Sequence, residues 1–360
     1  MMTTARIREK ADFDAFMLPW KRLAGQSLSP AGLNSPEMIL PLLKNIKGAE
    51  LAVVVQGKDL LFALPVQKHR ALSSNWITPL TVIGTPHLDR EFPAASLTTF
   101  INGLQQPLLL HSVSMKGHFW DCLGTPDVQF SVLNTWARAG LKPVGTFESW
   151  MESNFSPKRR KEYRRLGNRL AEQGDYTALT FSQGDDTDMW ADELLALEAA
   201  GWKGKRGTAL AADGNLQSAL KEACQLLGAA GKLRFWKLTF NGKAIASMYA
   251  IVEGDQAWLG KIAYDESFAK FSPGVLLILH ATEQLFAESH IRLIDSCAIS
   301  GHPMIENIWR DRIEVADVMI APLTIGKLRF AATKGAEQLR RTARNFARDA
   351  YYDLKGKKRS

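Results

Sequence analysis

The stretch Lys261-Ile-Ala-Tyr-Asp-Glu-Ser-Phe-Ala-Lys-Phe-Ser-Pro-Gly-Val-Leu-Leu277 concentrates more potential chemistry than any other part of this 360-residue chain. An apolar strand pattern ends at Tyr264-Asp265, and a short polar loop then enters an apolar helix at Ser272-Pro273-Gly274. Exposed amides at a helix start, with the macrodipole behind them, form a site for phosphate or pyrophosphate. Without a ligand, the same residues are an ordinary helix start, with serine at the N-cap and proline at the first helical position. The residues alone leave both possibilities open.

Two further patches could take part in a reaction. Glu198-Ala-Ala-Gly-Trp202-Lys203-Gly-Lys-Arg-Gly-Thr208 places three glycines, a tryptophan and three cations after a helical pattern. Such a loop lets backbone approach a ligand, or else it is a solvated connection with Trp202 plugging the core. In Asp295-Ser-Cys-Ala-Ile-Ser-Gly-His302-Pro-Met-Ile-Glu-Asn-Ile-Trp309, Asp295 ends an apolar strand that starts at Ile291, and His302 opens a helix-like segment. A strand-terminal acid and a nearby histidine are either an acid–base pair or structural residues. Cys297 has no identifiable basic partner in the sequence and reads as a structural thiol.

The elements that must position these residues follow from periodicity. Leu51–Val55 and Leu60–Leu64 flank Gln56-Gly57-Lys58-Asp59 as a β-hairpin. A longer meander runs from Leu233 to Phe240, turns at Asn241-Gly242, continues from Lys243 to Val252, and returns from Gln256 to Tyr264. Asn-Gly between apolar alternations predicts a turn with two positive φ angles. Ser156-Pro157 starts a basic helix whose Tyr163, Leu166 and Leu170 form a narrow apolar stripe. Helical patterns also cover Asp188–Ala200, Leu216–Ala229 and Pro273–Ser289. Hairpins followed by helices in both halves suggest two distant copies of one mixed α/β unit. The expected segments are 1–150, 151–325 and a tail, 326–360.

The net charge of +8 is concentrated in two places. From Lys327 onward there are 11 basic residues against 3 acidic ones, and from Lys158 to Arg169 there are 7 against 1, which leaves the remainder at −6. Nucleic acid is therefore not an expected partner of the body. Three scattered cysteines build neither a disulfide framework nor a zinc site. No apolar run approaches the ~20 residues of a spanning helix, and no secretory leader pattern is visible. A reducing cytoplasm is the compartment consistent with this. HExxH, GxSxG and Walker motifs do not occur in the sequence. In the tail, Leu339, Ala343, Phe346, Ala350 and Leu354 fall on one helical face. The tail is then either a basic amphipathic helix lying on the inner face of an anionic membrane, or a helix docked on the body with its arginines solvated.

Taken together, the segment from about Ser156 to Trp309 resembles the CelD/BcsL-like branch of the GNAT acetyltransferase superfamily, related in fold to the Fem-type aminoacyl transferases. The resemblance rests on the Arg-rich helix ending Leu170-Ala-Glu-Gln-Gly174, on Gly201-Trp-Lys-Gly204, on Asn241-Gly-Lys-Ala-Ile-Ala246, on Tyr264-Asp265 with Phe271-Ser-Pro-Gly274, and on Asp295. In the N-terminal half, Ile83-Gly-Thr-Pro86 also resembles this family. It implies tandem GNAT-like lobes, each a mostly antiparallel mixed sheet flanked by helices, with a basic C-terminal helix. It further implies acetyl-CoA or another acyl-CoA as donor, held by Lys270, Phe271, Ser272, Pro273, Gly274 and Val275, and no metal. Lys270 to Gly274 stands where an RxxGxG/A loop is usual. Glu198, Asp265, Asp295 or His302 would be the base and Tyr264 the acid, while Trp202, Lys203, Lys261 and Trp309 would shape the acceptor pocket. The implied reaction is N- or O-acylation of a sugar, lipid or envelope and exopolysaccharide precursor. Alternatives are aminoacyl-tRNA-dependent transfer of the Fem type and a non-catalytic assembly factor.

Overall fold

The computed structural model describes residues 1–8, 10–91, 93–124, 127–201, 207 and 210–356, and all side chains among these except those of 10, 11 and 348–356. Among them, the strands of both halves join in one sheet. The N-terminal half supplies β1 (Met2–Ile7), β2 (Glu50–Gln56), β3 (Asp59–Lys68), β4 (Ser73–Asn75), β5 (His87–Leu88), β6 (Leu108–Ser114) and β7 (Val128–Leu141). The C-terminal half supplies β8 (Tyr176–Thr180), β9 (Leu233–Phe240), β10 (Lys243–Glu253), β11 (Gln256–Tyr264), β12 (Leu293–Asp295) and β13 (Asp311–Pro322). Their order is β1-β2-β3-β4-β6-β13-β7-β12-β11-β10-β9-β8, with β5 paired to β3 at the side.

The two halves repeat one plan, as the tandem-lobe expectation requires. Each carries a single parallel pair, β4–β6 or β11–β12, in an otherwise antiparallel sheet. Each also gives its last strand to the other. β13 lies between β6 and β7, and β7 lies between β13 and β12. β7 and β13 pair from Asp311↔Gly140 to Pro322↔Val128. The segment boundary expected near residue 150 falls in a short helix, whereas the hydrogen bonding runs straight across it.

Helices cover both faces. On one face, α1 (Lys10–Gln26), α2 (Pro36–Asn45), α7 (Thr187–Ala200) and α8 (Gly214–Ala229) share a core that crosses both halves, from Trp20 and Ile39 to Trp190 and Phe235. On the other face are two separate cores. α3 (Pro93–Leu104) and α4 (His118–Cys122) pack over Phe62, while α5 (Phe147–Asn154), α6 (Pro157–Ala171) and α9 (Pro273–Ala287) pack over Trp236. β2 and β3 are buried on both faces, which is why they read as continuous apolar runs. The Asn241-Gly242 turn takes φ of 49° and 74°, as its sequence predicts. In α6 the stripe Tyr163, Leu166 and Leu170 is buried, and Ser156 accepts a hydrogen bond from the Arg159 amide at 3.3 Å.

α10 (Lys327–Gly356) docks on the body, with Arg340 and Arg344 solvated as the docked arrangement expects, but without burying its apolar stripe. Its buried contact is polar: Arg341 bridges Asp317 of β13 and Glu337 of its own helix, and His111 Nδ1 lies 3.4 Å from Asp317. Burial pushes the Asp317 carboxyl up, yet His111 and Arg341 outweigh this and hold it below its ordinary range. Leu328, Leu339 and Phe346 are exposed. The two buried carboxylates require an arginine partner, so Arg341 is drawn inward while Arg340 and Arg344 stay exposed, and the apolar stripe is left outside as well.

A buried network ties the shared core together. Glu253 of the C-terminal half accepts from the Ala31 amide at 2.9 Å, meets His87 Nε2 at 2.6 Å and pairs with Lys232 at 3.0 Å, while Lys232 also reaches Glu37 at 3.1 Å. Trp20 Nε1 donates to His87 Nδ1 at 3.0 Å, so His87 carries its proton on Nε2 and donates to Glu253. Burial pushes the Glu253 carboxyl up, but His87, Lys232 and the Ala31 amide prevail and lower it to about 2. A depressed carboxylate stabilises the fold above its unfolded pKa, and that stability is lost as pH falls toward the folded pKa. Urea unfolding should therefore show an acid limb between pH 4.5 and 2. In Glu253→Gln this limb should flatten, with a loss of roughly 3–5 kcal/mol at pH 7. An unchanged limb would remove Glu253 as its source.

Candidate active site

The entrance to α9 is built from strain and close approach. After β11, Asp265 accepts from the Ser267 amide at 2.9 Å and starts a 3-10 turn, Glu266–Phe271. Ser272 then takes the left-handed conformation (φ 51°, ψ 54°), which is uncommon for a non-glycine residue, and its hydroxyl caps nothing. It holds the N-cap position before Pro273 without a side-chain cap. A Cβ at Gly274 would lie 3.0 Å from Met304 Sδ and 3.3 Å from the Tyr264 ring, which explains the glycine.

Ser272, Lys270 and Val275 line a cleft of about 1520 Å³ whose opposite wall is α6, through Lys158, Arg159 and Tyr163. Arg159 Nε donates to Tyr163 Oη at 2.7 Å and its guanidinium lies over that ring, so this cation is held in place. Lys270 sits 4.8 Å over the Phe271 ring. Of the six residues expected to hold the donor, Lys270, Ser272 and Val275 face the cleft, while Phe271, Pro273 and Gly274 are buried beneath it. The basic helix that stood out in the sequence thus faces a helix N-terminus across an open cleft.

Deeper in, β11 and β12 part. Their pairing covers only Gln256↔Leu293 to Trp258↔Asp295, whereas β11 continues to Tyr264. Along its other edge, β11 pairs Leu259 with Ala250 and Ile262 with Met248, using one residue more than its partner. This bulge at Gly260-Lys261 leaves a backbone group outside the ladder. A Cβ at Gly260 would fall 2.1 Å from the Tyr249 ring, so only glycine fits. A cavity of about 330 Å³ beside the bulge is lined by Lys261, Ser296, His302 and Met304. His302 Nδ1 accepts from the Met304 amide at 3.4 Å. The helix expected from His302 is only a single 3-10 turn, Ile305–Asn307.

On the far side of β11, a cavity of about 310 Å³ brings Glu198 and Tyr264 together with Gly201 and Glu266. Glu198 is buried and accepts from the Leu210 amide at 2.8 Å. Trp202 and Lys203, expected near this point, lie outside the described residues. Asp265 holds the turn before α9. Asp295 accepts from Arg138 Nη2 at 2.6 Å and from the Cys297 amide at 2.8 Å. Burial, aided by Asp295, pushes the Cys297 thiol well up, which fits a structural thiol. Trp309 does not shape a pocket: it is 0 % exposed in the core under α9, where its indole donates to Thr282 at 3.1 Å.

Two features of the candidate site escaped the sequence. The bulge depends on register, which no residue type announces. Arg138 carries no motif in Thr135-Trp-Ala-Arg-Ala139, and only pairing between the halves sets it beside Asp295. The Ile83-Gly84-Thr85 turn now has a reason, since a Cβ at Gly84 would lie 2.3 Å from the His111 carbonyl oxygen.

Solved structures share this fold. Over nearly its whole length the chain is similar in fold to L-PGS from Bacillus licheniformis, with TM-score 0.54 and 11 % identity over 91 % of this chain and 96 % of that one. It is also similar to a C-terminal domain described as that of a lysylphosphatidylglycerol synthetase from Agrobacterium fabrum, with TM-score 0.55 and 10 % identity over 92 % and 98 %. A third similar structure is FemX, with TM-score 0.54 and 8 % identity over 89 % and 97 %. At such identities the likeness is one of fold. No curated protein matches the sequence. The basic helix, the bulged strand, the α9 entrance and Asp295 all fall within residues 157–300, and this segment matches the model of the acetyltransferase (GNAT) domain, so the chain carries a GNAT-type acyltransferase domain in its C-terminal half.

Proposed function

We propose that this protein transfers an acyl group from acyl-CoA, bound between α6 and α9, to an amine or hydroxyl of a sugar, lipid or envelope precursor. One observation carries the reading: cations on α6 and Lys270 face a cleft at the start of α9, and Met304 lines both this cleft and the cavity beside the bulge in β11. Pyrophosphate would lie against Lys158, Arg159 and Lys270, at the positive end of the α9 dipole. The thioester would enter the gap between β11 and β12, with its carbonyl polarised by backbone N–H groups at the bulge. Glu198, directly or through water, takes the proton of the attacking group, with His302 as the alternative base. The C–S bond breaks, and Tyr264 protonates the leaving thiolate. Asp265 and Asp295 act as positioning groups, because each already holds a turn or an arginine.

A second donor, aminoacyl-tRNA, is the alternative that the Fem-type resemblance implies, and the exposed cations of α6 favour it. The lysylphosphatidylglycerol synthetase among the similar folds favours a lipid acceptor. The outward apolar stripe of α10 supports peripheral membrane contact.

Calorimetry with acetyl-CoA should show binding that falls at least tenfold in a Lys158→Ala/Lys270→Ala double variant. Glu198→Gln should lower kcat by ~100-fold or more while leaving donor affinity unchanged. If CoA does not bind, and a charged tRNA binds with a steep loss on added salt, the second donor replaces the first. Ser272→Gly should raise unfolding free energy by about 1 kcal/mol through relief of the left-handed serine, and Ser272→Ala should not. Anionic liposomes should retain the full chain better than a version ending at Gly326, and equal partitioning would end the membrane reading.

A further inference from the structure

A cavity of about 760 Å³ lies between the halves, on the sheet face covered by α1, α2, α7 and α8. Arg138 and Asp295 form its floor, Ser29, Ser114 and Trp258 its walls, and the exposed Lys116 its rim. Arg138 is 4 % exposed, and one of its amino groups is given to Asp295. Its Nε finds no acceptor among the described residues. A buried guanidinium N–H without an acceptor is costly, and Asp295 already accepts on both oxygens. Ser29 Oγ accepts from the Phe119 amide at 2.9 Å and Ser114 Oγ from the Lys116 amide at 3.4 Å, so each hydroxyl keeps its proton to donate. The cavity is therefore rich in donors and positive at its rim, and it suits an acceptor-rich anion.

Its place relative to the reaction matters as much as its chemistry. Trp258↔Asp295 is the last pair before β11 and β12 separate, and Ser296, one residue on, lines the cavity beside the bulge. The interlobe cavity thus ends where the gap for the thioester begins. We propose that it holds a carboxylate or phosphate of the acyl acceptor against Arg138, leaving the nucleophile of that molecule to reach into the gap. The word acceptor rests on the acyltransferase reading, whereas the oxyanion site itself does not.

The test is calorimetric titration of the full chain, at constant low ionic strength, with inorganic phosphate, glycerol 3-phosphate and glycolate. At least one of the two classes, phosphate or carboxylate, should bind, and which one does names the source of the charge. Lys116→Glu should weaken that binding about tenfold. Arg138→Lys, which keeps the charge beside Asp295 but removes Nε, should weaken it at least as much with an unchanged circular dichroism spectrum. The Lys158→Ala/Lys270→Ala double variant should leave it intact. Binding abolished by the double variant but untouched by Lys116→Glu would place the anion in the α6–α9 cleft and overturn the proposal. So would a chain that binds acetyl-CoA but neither class of oxyanion, and there the acyltransferase reading would survive. Lys116-dependent binding in a chain that ignores acetyl-CoA would sustain the site and remove the acyl-CoA donor.

Discussion

The pairing of β7 with β13 is the constraint on which the rest of the molecule depends. Because each half closes its sheet with a strand from the other, the two parallel pairs are held at fixed positions on one continuous surface. The exchange also carries charge across. β7 brings Arg138 to Asp295 of the C-terminal half, and β13 brings Asp317 to His111 of the N-terminal half. Each visiting strand is therefore anchored by a partly or fully buried ion or hydrogen-bond pair, which penalises any register in which the charge is left alone.

The shared helical layer has a different role from the two cores on the opposite face. It buries one apolar surface across both halves and fastens it with Glu253, His87 and Lys232, so relative motion of the halves would break hydrogen bonds in a low-dielectric interior. The opposite face leaves the C-terminal core open at α6 and α9, where a ligand could enter. Rigidity on one face and access on the other suit a site that must hold two reactants in register.

Local features were legible in the sequence because local rules fix them. Asn241-Gly242 dictated its turn, Ser156-Pro157 its helix start, and Tyr163, Leu166 and Leu170 their buried stripe. The candidate site was legible where chemistry and helix punctuation coincide, at Tyr264, Lys270 and Ser272. What could not be read was set by partners distant in sequence. The bulge at Gly260 is a property of two strands, Arg138 gains meaning only beside a residue 157 positions away, and Trp309 looked like a pocket residue because an aromatic after a histidine loop does not reveal which way it points. The tail shows the same limit. Its two faces were plain from periodicity, but Asp317 and Glu337, which decide the face turned inward, carried no mark of burial in the sequence.

The strand exchange also bears on synthesis. The edge of β6 and the edge of β7 that β13 will cover stay without partners until residues beyond 311 have left the ribosome, and the other edge of β7 waits for β12. The N-terminal half therefore waits through most of translation with exposed hydrogen-bonding strand edges, the condition in which nascent chains pair wrongly with one another. Tandem copies of one unit, each with an equivalent vacancy, are complementary to the same strands on a neighbouring polysome. The architecture that unites the two lobes in one chain is thus also a template for intermolecular exchange between chains still being made.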